Sequence, residues 1–294
     1  MNLRKEKVMI KYDDHVHLSP IKGRKINGQD LITSEEMIKS MDKRDIDVSV
    51  IMTTSLKGEG SNEEALEIIK KYPNRFMYMA TFNLCLNETD LDKRIKEEKE
   101  KGAIGIGELV ENQEIESFDI QKLFKVAEAN KMPILFHMAH QMGNSYGIYD
   151  KALLPELEKS LKKYKDLIII GHSQPFWYEM YNKNSDVSPE ERNSYPKDIV
   201  NEEGRLFDLL RENSNLYCDL SANSAGNAIM RNKSMGIDFL KEFQDRLIFG
   251  TDIYNKDQYF PLADYLKKLL DDGDINKDIY EKIFSKNFEK VFLH

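Results

Sequence analysis

Short apolar runs recur along the chain roughly every thirty residues, separated by charged stretches. Eight carry the pattern: residues 8–12, 48–53, 76–83, 103–110, 133–138, 167–171, 216–220 and 246–250. Each has the length of a buried strand, and most are rich in β-branched or aromatic residues. Continuous apolar runs suit parallel strands covered on both faces. The intervening stretches have helical spacing at 35–42, 62–72, 90–101, 119–130, 151–164 and 201–213. Thr33 with Glu36, and Ser61 with Glu64, have the spacing of a capping box, in which a hydroxyl and a carboxylate satisfy free backbone N–H groups. Gly102 stands where the helix over 90–101 should stop.

Alternating strands and helices imply βα units and a parallel sheet. Eight units point to a closed (β/α)8 TIM barrel, which needs about 250 residues. The 294 residues therefore predict one domain, 1–294, with long βα loops near 18–32, 173–200 and 221–235. The second of these holds Pro175, Pro189 and Pro196, and the third is rich in Ser, Asn and Gly. In a barrel, such loops shape a pocket at the C-terminal face. An open doubly wound sheet is the competing architecture. Against a nucleotide site, no strand is followed by GxGxxG or GxxxxGK[ST]; Gly105 and Gly107 make only a fragment inside a strand.

Composition narrows the function. Hydrophobic residues make up 40% and charged residues 32%, as in an ordinary globular protein. The net charge of −8 argues against a nucleic-acid partner, and the basic runs at 4–7, 93–101 and 162–165 read as solvated helix faces. Two distant cysteines, Cys85 and Cys218, do not make a disulfide scaffold and fit a reducing cytoplasm, with Cys218 a small buried hydrophobe. Residues 1–11 are too charged for a signal peptide, and no run approaches the ~20 apolar residues that span a bilayer. A cytoplasmic protein with no membrane partner is expected. Barrels often associate, which leaves a homo-oligomer open.

The chemistry lies in the histidines, of which there are six. His15 and His17 follow the first run, His137 closes the fifth and His172 closes the sixth, while Asp252 follows the eighth. Strand residues i and i+2 point to the same side, so His15 and His17 can face one ion. The other strand ends converge around the barrel mouth. Imidazole nitrogen and carboxylate oxygen suit Zn2+ and similar divalent ions. A lone histidine or aspartate at a strand end is usually structural; this joint placement is not. Glu108 ends the fourth run, with Glu111 the alternative if the register slips. His140 reads as a hydrogen-bonded loop residue and His294 as uninvolved. Phe176, Trp177 and Tyr178 either wall a pocket or pack a loop. Asp13 and Asp14 could orient imidazoles from behind, or serve as turn carboxylates. Asn223 and Ser224 are candidate pocket-lining groups.

Asp14-His15-Val16-His17, His137, Gly171-His172 and Phe249-Gly250-Thr251-Asp252, with a closing segment over 279–292 that includes Asn287-Phe288, resemble the amidohydrolase superfamily. In particular they resemble its amidohydrolase-related branch of metal-dependent TIM-barrel hydrolases. The resemblance covers nearly the whole chain. It implies that His15, His17 and Asp252 bind a first divalent ion, zinc foremost, with manganese or another ion as alternatives. It implies that His137 binds that ion or a second one, and that His172 is a second-ion ligand or a catalytic histidine. Asp252 would be the general base. Glu108 would bridge two ions, and so decides between one and two.

The leading expectation is a hydrolase that uses a metal-activated water to cleave an amide, ester, lactone or phosphoester of a small molecule. The alternative is a metal-dependent decarboxylase or hydratase acting on an unsaturated carboxylic acid, with Arg231 or Lys233 as the carboxylate's partner. A non-enzymatic binding barrel is the third reading, and it requires the strand-end ligands to be misdirected.

Overall fold

Seven apolar runs fold as strands where the pattern puts them, in the computed structural model, which describes residues 9–26, 28–56 and 60–293. The exception is the first. Strand β1 spans Tyr12–Val16 rather than 8–12, of which Val8 lies outside the described residues, as does the basic run at 4–7. Its Asp13, Asp14 and His15 read as polar, yet the whole strand is buried. Asp13 explains part of this: its carboxylate accepts Thr251 N at 2.8 Å and Thr251 Oγ1 at 2.7 Å, tying the first strand to the last.

The others are β2 (Val48–Met52), β3 (Phe76–Ala80), β4 (Gly105–Leu109), β5 (Ile134–Ala139), β6 (Ile169–His172), β7 (Leu216–Asp219) and β8 (Leu247–Ile248). Each pairs in parallel with the next. The ring closes through Asp14 N to Phe249 O at 2.9 Å, Asp252 N to His15 O at 2.7 Å and His17 N to Ile253 O at 3.0 Å. This is the closed barrel, and the open sheet is excluded.

Helices α1 (Ser34–Arg44) and α2 (Asn62–Lys71) begin with both predicted capping boxes. Helix α3 (Glu88–Glu100) ends at Lys101, and Gly102 follows with φ +103°. Helices α4 (Phe118–Asn130) and α5 (Pro155–Lys163) continue the alternation. None of the described helices is long and apolar enough to cross a membrane.

Two predicted loops contain helices. Residues 173–200 hold short helices at Gln174–Tyr178 and Pro189–Arg192, and 221–235 is mostly the helix Ala222–Arg231. Ser, Asn and Gly lower helix propensity, but Ala225, Ala228 and Ile229 form a buried face that tertiary packing rewards. Residues 18–32 include a small antiparallel ribbon, Lys25–Ile26 with Gln29–Asp30.

Alternate strand residues build two separate cores. Ile134, Phe136 and Met138 join the larger cluster shared with the helices. Leu135, with Tyr12, Val50, Met52, Met79, Ile170, Tyr217 and Ile248, belongs to a smaller cluster that fills the barrel. Phe288, Val291 and Phe292 of the terminal helix Asn287–Phe292 join that inner cluster, and Phe288 stacks on Tyr12 with ring centroids 4.2 Å apart. Asn287 anchors the helix by donating Nδ2 to Leu247 O at 2.8 Å and Gln244 O at 2.7 Å. Tyr12 and Leu247 stand at strand starts, so this helix stops the N-terminal end of the barrel. The strand ends opposite are left for chemistry.

Candidate metal centre

Two residues beyond the inner core, three strands present a polar group instead of an apolar one. Leu135 gives way to His137, Ile170 to His172 and Tyr217 to Asp219. His137 and His172 are register partners on β5 and β6, so both side chains rise on the same side of the sheet. In β1 the register shifts between Asp13 and Val16. His15 and His17 nonetheless meet, with Nε2 atoms 3.1 Å apart.

All six residues expected at the site come together. His17 Nε2 lies 3.5 Å from Glu108 Oε2 and 3.4 Å from Asp252 Oδ1. His15 Nε2 lies 3.9 Å and 3.6 Å from the same two atoms. On the other side, Glu108 Oε1 is 2.9 Å from His137 Nδ1 and 3.8 Å from His172 Nε2, while Asp252 Oδ2 is 3.7 Å from His172 Nε2. Three overlapping triads have mutually close ligand atoms: His15–His17–Glu108, His15–His172–Asp252 and Glu108–His137–His172.

These spacings fit a shared cation. Most exceed the reach of a direct hydrogen bond. Two ligands each about 2.1 Å from a tetrahedral ion stand about 3.4 Å apart, which is the typical spacing here. Proton placement agrees. His15 Nδ1 donates to Asp219 Oδ2 at 2.8 Å, so its Nε2 keeps a lone pair aimed at His17 Nε2. Only a proton or a cation between those atoms relieves the contact. The residues present therefore suit one or two divalent ions.

Sequence reading missed Asp219. It is fully buried and accepts from His15 Nδ1, from His172 Nδ1 at 2.9 Å and from Ser221 Oγ at 2.6 Å. One carboxylate thus orients two imidazoles, the arrangement that fixes tautomer and aim around a metal. A signal existed: Asp219 closes the seventh strand as His137 and His172 close theirs. Burial alone would raise its pKa, but the hydrogen bonds and charges of His15 and His172 hold it below the usual carboxylate range. Burial also opposes ionised Glu108; the His137 hydrogen bond and the charges of His137, His15 and His172 outweigh it and lower the pKa. His172 moves the other way: despite burial, the Asp219 hydrogen bond and charge push it up to about 9.

Beneath the imidazoles, burial and then the charges of Asp219 and Asp13 hold Asp14 well above the ordinary range. Gly250 is what makes room for this pair: a Cβ there would collide with Asp14 Oδ1 and lie 2.8 Å from Asp219 Oδ1. Of the two acids that could orient imidazoles or serve as turn carboxylates, Asp13 ties β1 to Thr251 and accepts His15 N at 3.3 Å, and neither carboxylate oxygen of Asp14 has a hydrogen-bond partner.

The remaining candidates separate clearly. Glu111 accepts Val110 N at 3.2 Å and belongs to none of the triads. His140 Nδ1 pairs with Ser145 Oγ at 3.3 Å. His294 lies outside the described residues. Phe176 and Trp177 are buried; Trp177 Nε1 donates to Asp219 O at 3.2 Å. Cys218 is buried and its thiol is pushed up by burial. Lys233 is exposed and paired with Asp274 at 2.6 Å, whereas Arg231 is buried beside Tyr181. Ser224 and Asn223 line cavities that Arg231 also lines.

No family model matches the sequence, and no curated protein matches it. Solved structures do. A probable 2-pyrone-4,6-dicarboxylic acid hydrolase from Acinetobacter baumannii, with citric acid bound, superposes with a TM-score of 0.61 at 16% identity, over 97% of this chain and 99% of that one. A 5-carboxyvanillate decarboxylase from Novosphingobium aromaticivorans, complexed with manganese and 4-hydroxy-3-methoxy-5-nitrobenzoic acid, gives 0.61 at 16%, over 98% and 97%. A TIM-barrel protein from Bordetella bronchiseptica gives 0.61 at 17%, over 96% and 97%. At such identities the likeness is one of fold, and the fold is the TIM barrel.

Proposed function

We propose that this chain is a metal-dependent hydrolase of the amidohydrolase superfamily, cleaving an amide, ester, lactone or phosphoester of a small molecule. The observation that carries the reading is the span of Glu108. Its Oε2 lies near His15 and His17, and its Oε1 lies near His137 and His172. That is the disposition of a carboxylate bridging two cations.

In this reading His15, His17 and Asp252 would hold one ion and His137 and His172 a second, with Glu108 as a candidate ligand to both. Zinc is the first choice, with manganese the alternative. A bound ion of this kind lowers the pKa of water and polarises the scissile carbonyl or phosphoryl oxygen. The chain's own residues do the rest. Asp252, whose side chain is 24% exposed, is the one acid of the centre open to solvent. It takes the proton from the attacking water and returns it to the leaving group. His172, held by Asp219 and Ser221 through Nδ1, keeps Nε2 aimed into the centre. Asp219 fixes His15 in the same way.

The test is metal content and activity together. The reading expects close to two ions per chain, turnover of some member of a panel of small esters, lactones, amides and phosphoesters, and loss of turnover in Asp252→Asn with metal retained. A stoichiometry near one, with turnover of an unsaturated carboxylic acid instead, would move the assignment to a decarboxylase or hydratase. A chain that binds no ion after careful loading would remove it.

A further inference from the structure

The chain leaves His172 through a strained turn. Ser173 has φ +92° and ψ 170°, a region that essentially only glycine occupies, because a Cβ crowds the backbone there. The other non-glycine residues with positive φ among those described lie between +49° and +69°, the left-handed span that L residues can visit. A conformation this costly persists only where the surrounding contacts over-determine it.

Those contacts run from the Ser173 hydroxyl. Strands β5 and β6 pair as far as His137 with His172. At the next position the paired ladder ends, and Ser173 Oγ takes over, accepting Met138 N at 3.1 Å and donating to Met138 O at 2.8 Å. The bridge thus joins the two residues that directly follow the two histidines. The same turn sends the chain into the helix Gln174–Tyr178, where Phe176 meets Phe136 edge-on with centroids 5.9 Å apart, and Trp177 Nε1 donates to Asp219 O. Ser173 is 1% exposed and its hydroxyl is engaged as both donor and acceptor, so it is placed to hold the strands and not to attack a substrate.

We propose that Ser173 is a positioning residue whose hydroxyl clamps β5 to β6 and so sets the spacing of His137 and His172. These imidazoles have centroids 5.3 Å apart, and both approach Glu108 Oε1. Beyond the last backbone pair a strand end is free to splay, whereas ligands must be held to within about 0.5 Å. The clamp removes that freedom at the cost of a strained backbone. The inference rests on the two-ion reading, in which this pair holds the second ion.

Zinc is titrated against a chelating dye with wild type, Ser173→Gly and Ser173→Ala. Ions per chain are counted by metal analysis, urea midpoints are measured on the metal-free proteins, and His137→Ala marks the binding step that belongs to the histidine pair. Both Ser173 variants lose the hydroxyl; only glycine also loses the strain. The expected result is that each binds the ion of the pair about tenfold more weakly, the loss that follows when a supporting partner is disturbed. The other ion stays within about threefold of wild type on the same scale. Metal-free Ser173→Gly should unfold at a higher urea concentration than Ser173→Ala, which separates ligand placement from general loss of fold. Should Ser173→Ala not fold, Ser173→Gly carries the metal comparison. Unchanged affinity at the pair in folded Ser173→Gly, equal weakening of both ions, or a Ser173→Gly no more stable than Ser173→Ala would overturn the proposal. The wild type reports on the two-ion reading separately. A single bound ion would remove that reading, and the clamp would then stand if that ion is weakened about tenfold in folded Ser173→Gly and fall if it is not. No bound ion would remove both.

Discussion

Replacing Asp219 by asparagine should weaken metal binding more than any other single change outside the direct ligands. Its carboxylate accepts from Nδ1 of both His15 and His172, and from Ser221. Asparagine offers one oxygen and one amine. All three contacts fall on Oδ2, so asparagine can keep its oxygen there, but it removes the negative charge that holds both imidazoles as Nδ1–H tautomers with Nε2 aimed at the centre. Disturbing such a supporting partner costs about 10–100-fold in metal affinity. Asp219 supports two imidazoles, which puts the expected loss near about 100-fold, or about 2.7 kcal/mol. The assay is competition of zinc or manganese against a chelating dye for wild type and Asp219→Asn. Urea unfolding of the metal-free proteins separates lost affinity from lost fold. An affinity within about threefold of wild type in a folded variant would refute the orienting role.

Two further outcomes are expected. Gly250→Ala should destabilise the barrel by about 1–3 kcal/mol in urea, because the added methyl overlaps Asp14 and crowds Asp219; an unchanged midpoint would contradict the packing described. Burial pushes Glu179 up to about 7, against hydrogen bonds from Asn182 and Leu153 N and the charges of Arg192 and Arg205. A carboxyl harder to ionise when folded stabilises the protein below its unfolded pKa, and this contribution is lost as pH rises through about 7. Wild-type stability relative to Glu179→Gln should therefore fall by about 3 kcal/mol at most between pH 5 and 8, read by urea titration, and parallel curves would contradict it.

Much of the fold was legible because parallel strands bury both faces and so stand out as apolar runs. The same logic failed at β1. There Asp13, Asp14 and His15 are polar for functional and closing reasons, so the strand hides behind the chemistry it carries. Helix starts were legible from side-chain caps at Thr33 and Ser61, which are local. The helix Ala222–Arg231 was not, because its stability comes from a buried face and not from its Ser, Asn and Gly. The six centre residues were legible from their places at strand ends. Asp219 was overlooked for the opposite reason: a single aspartate at a strand end is common, and its importance appears only when two distant histidines are seen to share it. Arg231 could be named as a candidate cation, but its burial and its cavity depend on loop conformations the pattern does not encode.

The most direct test of the account is anomalous X-ray scattering from crystals of the zinc-loaded protein. Two peaks are predicted at the C-terminal end of the barrel, each within about 2.3 Å of its ligands. One should lie by His15, His17 and Asp252, the other by His137 and His172, with a Glu108 oxygen on each. A single peak that Glu108 does not touch would contradict the bridged pair, and no peak among these residues would contradict the metal centre itself.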